Sequence, residues 1–500
     1  MSFVVSGRRS LAAILAIGSS AVLFWFGNNL HPLWPLLWFA PLPVLLFAAR
    51  SSWRAAAAVS WLSLWLGSIA MWHYFRSALL APLWVAPMIY AIAAFLFVLA
   101  VLLFRALLLR GAFWTALLAF PALWVSCEYV HNIATPDGTA GSLAYAQLNF
   151  LPFLQLASIT GPWGMSFLLL LFPAALVIGL YLRHTAPKQA WRIVAASLGA
   201  IALVLIFGAV RLAQPTPNQQ VKVGLIASDG ENVFPPPDGP ATERLFREYA
   251  AVGGRLAAQG AQFIVMPEKL GVATDADIRQ ADAIFQSVAD KTGSTFVVGL
   301  IRVSAWAKYN QARVYAPDAA VRTYDKEHML PAFESMFTPG TSLTILQKAS
   351  RPCGVVICKD MDFTQPARKY GEAGVGLMLV PAWDFGMDRW WHGHIAVMRG
   401  VESGFSVARS AKGGYLTVSD SRGRILAQTR SDSAPFATLI ADVPVVHSGT
   451  VYLVLGDWFA WVALAVLCFA LVQLYRLRRR RRKPQMASPA SVSADRVIQS

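Results

Sequence analysis

A chain of 500 residues that is 56% hydrophobic and 14% charged, with a mean hydropathy of +0.49, is too apolar for an ordinary water-soluble protein. Its net charge of +16 does not indicate nucleic acid: Arg8-Arg9, Arg50 and Arg54, Arg105 and Arg110, Arg183, Lys188 and Arg192, and the run from Arg476 to Lys483 all stand at ends of apolar segments, where basic residues fix membrane topology. The four cysteines imply no disulfide framework, because Cys127 and Cys468 fall in or beside apolar runs.

Apolar segments at 11–26, 33–49, 55–72, 83–104, 112–125, 166–182, 193–210 and 452–475 are read as membrane spans, giving a membrane α-helical bundle of about eight transmembrane helices. The first has the basic start and short apolar core of a signal peptide. No small-x-small cleavage site with a polar mature start follows it, so it is expected to stay as a span. With the amino terminus inside, the basic segment ends lie on the cytoplasmic side, and Arg76 alone falls on the other face. Both termini are then cytoplasmic and the polar part of the chain is extracytoplasmic, in the periplasm if the cell has one. The division expected is a helical membrane domain at 1–213, a Pro-containing linker at 214–219, a polar domain at 220–446, a C-terminal membrane helix at 447–476 and a basic, disordered tail at 477–500.

The stretch 131–161 is too long for a simple connector and holds the turn formers Asn132, Thr135-Pro136-Asp137-Gly138 and Gly141, flanked by Tyr145 and Phe150. Two readings stay open: an interfacial segment framing a lipid entrance, or a solvated loop. The polar domain alternates strand signals (222–226, 263–266, 295–300, 375–380) with helix signals (241–259, 275–291), then continues in strands at 406–409, 415–419 and 425–429, as an α/β sandwich does.

Three strand-like runs in that domain each end on one ionisable side chain: Phe263-Ile264-Val265-Met266-Pro267-Glu268, Val321-Arg322-Thr323-Tyr324-Asp325-Lys326 and Gly354-Val355-Val356-Ile357-Cys358. Open α/β sheets place their chemistry at strand ends. A thiol is mostly protonated at neutral pH, so Cys358 needs a base, and Glu268 can serve as one. Lys326 can stabilise the thiolate and the oxyanion of a tetrahedral intermediate. Together they form an activated-thiol site suited to acyl transfer through a thioester. Taken singly each has a plainer reading: a packed thiol, a helix cap, a surface charge. A Cys353–Cys358 bridge is not expected, because an odd separation on one strand puts the two side chains on opposite faces.

Met266-Pro267-Glu268, Tyr324-Asp325-Lys326 with Glu327-His328-Met329-Leu330-Pro331, and Val355-Val356-Ile357-Cys358-Lys359-Asp360 resemble the Glu-Lys-Cys motifs of the nitrilase, or carbon-nitrogen hydrolase, superfamily. Arg399-Gly400-Val401-Glu402 and Gly413-Gly414 resemble its downstream motifs. With the preceding spans, and with Pro121 to Trp124, Glu128, Tyr145 and 161–168, nearly the whole chain resembles the membrane-bound apolipoprotein N-acyltransferases. The resemblance implies an extracytoplasmic α/β nitrilase-type αββα sandwich domain, in a bacterial inner-membrane protein that needs no cofactor. Its partners would be a phospholipid acyl donor and, as acceptor, the free α-amino group of a diacylglyceryl-modified lipoprotein cysteine. Carried over by motif, Glu268 is the general base, Lys326 the oxyanion stabiliser and Cys358 the nucleophile. Glu334, placed as Pro-x-x-Glu after Pro331, is a further essential glutamate; its plainer reading is an exposed loop carboxylate.

The chain departs from the family at Lys359-Asp360, where Tyr-Glu is usual, at Pro381-Ala382-Trp383-Asp384-Phe385-Gly386, and near 232–238, where the expected aromatic appears only as Phe234. Lys359, Trp383, Phe385 and Trp390 are the candidates for substrate contact. Trp383, Phe385, Trp390 and Trp391 are suited to holding acyl chains at a bilayer surface, or to ordinary packing. No metal is expected at His392 and His394, which lack the i,i+4 spacing of a helical pair. Cys-x-Asp also occurs in the superfamily's hydrolases, so a membrane-anchored amidase stays open as an alternative, as does another amine acceptor. A non-catalytic, transport-like protein is disfavoured by the intact Glu268, Lys326 and Cys358.

Overall fold

The computed structural model describes residues 2–215, 219–230, 238–347 and 351–482. Phe234, the middle of the expected linker and the tail from 483 onward lie outside the described residues.

Among those residues, seven helices are long and apolar enough to cross a membrane: Ser2–Gly27, Trp53–Ser68 with its short continuation to Met71, Val85–Leu108, Phe113–Ala134, Pro162–Leu182, Pro187–Ala213 and Trp458–Arg482. The segment expected to span at 33–49 is instead two short helices, Trp34–Leu37 and Leu42–Ala48. Pro35, Pro41 and Pro43 lack the amide hydrogen an uninterrupted helix needs, so the chain steps rather than spans. At about 1.5 Å per residue even an unbroken helix over 34–48 would fall short of a hydrocarbon core of about 30 Å. The last span also begins later than expected, at Trp458, and its helix continues through the basic residues to Arg482, where a disordered tail was expected. Pro162–Leu182 is the most enclosed of the seven, packed between Phe113–Ala134 and Pro187–Ala213.

The polar domain folds as two sheets face to face. The first contains β1 (Gln220–Ala227), β2 (Phe263–Val265), β3 (Val272–Thr274), β4 (Thr295–Val303), β5 (Lys308–Tyr315) and β6 (Arg322–Asp325); the second contains β7 (Thr344–Leu346), β8 (Cys353–Val355), β9 (Leu377–Trp383), β10 (Ser406–Lys412), β11 (Tyr415–Ser419) and β12 (Ile425–Arg430). β13 (Ala437–Pro444) returns to the first sheet beside β1. The order is β13-β1-β2-β4-β5-β6 in one sheet, with β3 beside β4, and β12-β11-β10-β9-β8-β7 in the other. In each, the central strands β1-β2-β4 and β8-β9-β10 run parallel and the outer neighbours antiparallel, except β3, which runs parallel to β4. Buried Val223, Leu225, Val265, Val297, Val355, Leu379 and Val407 fill the space between the sheets.

Helices Gly239–Ala258 and Ile278–Thr292 cover the outer face of the first sheet through Leu245, Phe246, Tyr249 and Phe285. Helix Arg389–Ser403 covers the second sheet and also faces the membrane half, contributing Ile395, Met398 and Val401 to the core of the helical bundle. This double duty makes it the joint between the two halves. β5 and β13 carried no strand signal in the sequence. In β5 the buried positions include Asn310, Gln311 and Arg313, so apolar and polar residues do not alternate.

Candidate active site

Lys326 directly follows β6, as the strand-end reading expects, while Glu268 stands three residues beyond the end of β2 at Val265. Gly299 of β4 lets the Glu268 segment approach, since a side chain there would meet the Pro267 carbonyl oxygen at 2.4 Å and the Glu268 Cα at 2.7 Å. Cys358 arrives differently. β8 stops at Val355, and Cys358 opens a 3-10 helix, Cys358–Asp362, with φ of 42°. The predicted strand thus breaks three residues early, and the left-handed backbone turns the thiol out of the sheet. Such strain in a non-glycine residue persists only where its surroundings hold it.

Asp360 does that holding. Its buried carboxylate accepts hydrogen bonds from Ile357 N (3.1 Å), Tyr324 Oη (2.8 Å), Glu327 N (3.2 Å) and His328 N (2.8 Å). It therefore pins the nucleophile turn to the loop that follows Lys326. The end of β9 fixes base and nucleophile together: Glu268 N donates to Ala382 O at 3.2 Å, and Cys358 Sγ donates to the next carbonyl, Trp383 O, at 3.5 Å.

The base region is a closed set of charges. Lys326 Nζ donates to Glu268 Oε1 at 2.9 Å and to Glu334 Oε2 at 2.8 Å. Asn310 Nδ2 donates to the Oε1 atoms of both, at 2.5 and 2.8 Å. Lys269 Nζ donates to Glu334 Oε1 at 2.5 Å and lies 3.5 Å from Glu268 Oε1. Glu334 is only 1% exposed, so it is no surface loop carboxylate; with Leu330 N also on Oε2 at 2.8 Å, both its oxygens are engaged. On Glu268 these donors converge on Oε1, which leaves Oε2 to accept a proton. Two of the three Lys326 N–H bonds are committed to carboxylates.

Burial by itself would raise the Glu268 and Glu334 carboxyls, but Lys326 and Lys269 hold both below the ordinary range. Burial disfavours the charge on Lys326, and the two carboxylates outweigh it, keeping the ammonium protonated. Burial, then the Glu268 charge, pushes the Cys358 thiol well up, against Lys326 and Arg409. The resting pair is thus a thiol and a carboxylate.

The other sequence-picked residues scatter. Trp383 lies beside two lysines, with Lys412 Nζ 3.6 Å from its ring centroid and Lys269 Nζ at 5.4 Å. Phe385 packs against Phe333 at 5.4 Å. Lys359 points away from the carboxylates: its Nζ lies 3.7 Å from Asp137 of the membrane half and 5.9 Å from the Phe363 ring. Trp390 stacks on His394 at 4.3 Å, and Trp391 meets Tyr145 edge-on at 5.8 Å, both packed against the helical bundle. His392 lies between Asp362 (3.4 Å) and Asp388 (3.3 Å). Lys269 and Asn310 were missed. A lysine directly after the base and an asparagine on an unpredicted strand gave no periodic signal, and their roles arise only from convergence.

The stretch 131–161 is largely helical and partly buried. Helix Phe113–Ala134 extends into it, Leu143–Gln147, Leu151–Leu154 and Ala157–Thr160 are short helices, and Tyr145 and Gln147 are buried. Glu128 accepts from Leu143 N at 2.8 Å and Trp124 Nε1 at 3.0 Å, tying this stretch to its helix. Thr139 N and Oγ1 both donate to Asp362 O, so the membrane half grips the far end of the nucleophile's own helix. Arg399 Nη2 donates to Tyr145 Oη at 3.1 Å and its Nη1 pairs with Glu402 at 2.9 Å, inside the same joint.

An αββα sandwich joined to a helical membrane bundle, with a thiol, a buried carboxylate and a buried lysine brought together on the sandwich, defines the class: a membrane-embedded member of the carbon-nitrogen hydrolase superfamily. The profile of the apolipoprotein N-acyltransferase N-terminal domain matches residues 20–175, and that of carbon-nitrogen hydrolases matches residues 216–450. Relatives named apolipoprotein N-acyltransferase include that of Geobacter metallireducens, 27% identical with 86% of this chain and 89% of the relative covered, and that of Bradyrhizobium diazoefficiens, 27% identical with 95% of each covered. Among solved structures, an amidase from Nesterenkonia sp. is similar at 20% identity and a TM-score of 0.39, covering 46% of this chain and 93% of that one. Saccharomyces cerevisiae Nit3 is similar at 18% identity and 0.39, covering 49% and 96%. The chain belongs to the apolipoprotein N-acyltransferase family.

Proposed function

We propose that the protein transfers a fatty acyl group from a phospholipid, through a thioester on Cys358, to the α-amino group of a diacylglyceryl-modified cysteine at the start of a lipoprotein. The observation that carries this is the convergence of Glu268 and Cys358 on adjacent carbonyls of β9, with Lys326 bonded to the base. In the first half-reaction the Cys358 sulfur attacks the donor's ester carbonyl as its proton passes to Glu268 Oε2. Lys326 stabilises the oxyanion. Collapse breaks the ester carbon–oxygen bond, and Glu268 returns the proton to the departing lysophospholipid oxygen. In the second, the acceptor amine attacks the thioester carbonyl, Glu268 removes the amine proton, and the sulfur leaves and is reprotonated. Glu334 orients Lys326 and Asn310 and takes no proton itself. In this reading the amino terminus and Arg-rich helix end face the cytoplasm of a bacterial inner membrane, the sandwich faces the opposite side, and Trp383 and Phe385 line the route to the thiol.

Incubating the purified protein with phospholipid and recording its intact mass tests this. A hydroxylamine-labile acyl adduct is expected on the wild type and absent from Cys358→Ala, and a diacylglyceryl-cysteinyl peptide should then take up the acyl group on its amine. An adduct that decays to free fatty acid whether or not peptide is present would mark an amidase instead, the alternative kept open by Asp360. Asp360 itself is wholly occupied in holding the nucleophile turn, which makes it compatible with either acceptor.

A further inference from the structure

Among the described residues, the non-glycine positions with positive φ are Leu80, Lys269, Asp318 and Cys358. One is the nucleophile, and Lys269, at 51°, is the residue next to the base. An extended or helical backbone at 269 would aim its side chain elsewhere; the left-handed one sends it into the site. Both ends are then fixed. Its carbonyl accepts from Lys412 Nζ at 3.0 Å, and its stem runs between Trp383 and Phe337, with Nζ 5.4 and 5.9 Å from the ring centroids. Its ammonium, 6% exposed as a residue, donates to Glu334 at 2.5 Å and stands 3.5 Å from Glu268.

From this geometry we infer that Lys269 is a positioning residue for the reaction: it neutralises Glu334, so that Lys326 is not the sole counter-charge of two buried carboxylates and Glu268 remains ionised as the base. Glu268 is faced by Lys326, Lys269, Glu334 and the Cys358 thiol; Arg409, Asp384 and Lys412 stand around the thiol and Trp383. Removing Lys269 leaves the two carboxylates with Lys326 alone. The surplus negative charge makes proton uptake by Glu268 easier and ionisation of Cys358 harder, so both effects move reactivity toward higher pH. Lys326 is also drawn more firmly onto the two carboxylates, away from an oxyanion.

The inference rests on the acyl-enzyme reading, but its test needs no lipid. Alkylation of Cys358 by iodoacetamide, followed by intact mass against pH in the full-length protein in detergent, reports the base–thiol pair directly. For Lys269→Met the midpoint of the rising limb is expected to move about one pH unit upward, the size usual for losing a neighbouring opposite charge. Lys269→Arg should keep it near the wild-type value. The double variant Lys269→Met/Glu334→Gln removes one charge of each sign and should bring the midpoint back. A Lys269→Met profile that superimposes on the wild type, or a double variant shifted as far as the single one, overturns the inference. Should Lys269→Met fail to fold, the double variant and Lys269→Gln give the same comparison. A wild type that alkylates with the expected profile yet forms no acyl adduct would sink the acyltransferase reading and leave the role of Lys269 standing.

Discussion

Glu268 and Glu334 occupy the same charge cluster but are made unlike by their donors. Glu334 has both oxygens bound by Lys269, Asn310, Lys326 and Leu330 N, whereas the donors to Glu268 meet on Oε1. The first can orient but not accept a proton; the second can do both. Glu268→Gln keeps the shape and removes the base, so formation of the acyl adduct should slow by about 10²–10⁴-fold, with Cys358 still present by mass. Because Lys326 and Lys269 hold Glu268 below the ordinary carboxylate range, it stays ionised through neutral and mildly acidic pH. Because the Cys358 thiol is held well above its ordinary range, the rising limb of the wild-type alkylation profile should follow the thiol and not Glu268; a Glu268 carboxylate band in infrared difference spectra that is lost at or above pH 4.5 would contradict the charge balance.

At the level of elements, the 3-10 helix Cys358–Asp362 is the part on which reactivity depends, and it is held at both ends. Asp360→Ala would leave the buried Tyr324 hydroxyl and the Ile357 and His328 amides without their acceptor, a loss on the order of 3 kcal/mol. The expected result is a lower Tm together with slower alkylation of Cys358, as the left-handed turn relaxes. At the other end His392 bridges Asp362 to Asp388 of the joint helix's N-terminal turn. Burial opposes the imidazolium, but the two aspartates outweigh it and raise the group from its ordinary 6.5 to about 10. A raised folded-state value contributes stability in full below about 6.5, progressively less between 6.5 and 10, and none above. The Tm advantage of the wild type over His392→Gln should accordingly shrink across that window, and a difference constant with pH would show that the bridge is not ionic.

Across the whole molecule, the bundle and the sandwich meet through several contacts, among them one helix and one loop. Helix Arg389–Ser403 lies in both cores, and the turn 135–141 reaches from the bundle to the nucleophile helix through Thr139 to Asp362 O and Asp137 to Lys359. In the proposed reaction, a lipid donor arriving from the bundle would reach Cys358 only if these contacts hold the halves in register. Thr139→Val removes the side-chain donor and keeps the volume, at about 1 kcal/mol. Acyl transfer from phospholipid should fall several-fold while alkylation by small, water-borne iodoacetamide is unchanged. Equal losses in both assays would show that Thr139 merely stabilises the nucleophile turn.

Local physics set much of this in the sequence. Long apolar runs must satisfy their backbone as helices in lipid, alternating strand and helix signals must bury one face, and a thiol, a carboxylate and an amine at three strand ends mark where an α/β sheet does chemistry. The sandwich, and the run ends that bring Glu268, Lys326 and Cys358 near one another, were legible for that reason. What tertiary structure decided was whatever depends on distance between remote segments. The prolines of 33–49 turned an expected span into a step, and the strand before Cys358 ended early because Asp360 captures amides from another loop. The short helices of 131–161 and their grip on Asp362 came from packing, and Lys269 entered the site through a backbone angle that no residue pattern encodes. Patterning specifies which faces are buried; which buried charges meet is fixed only when those faces close on one another.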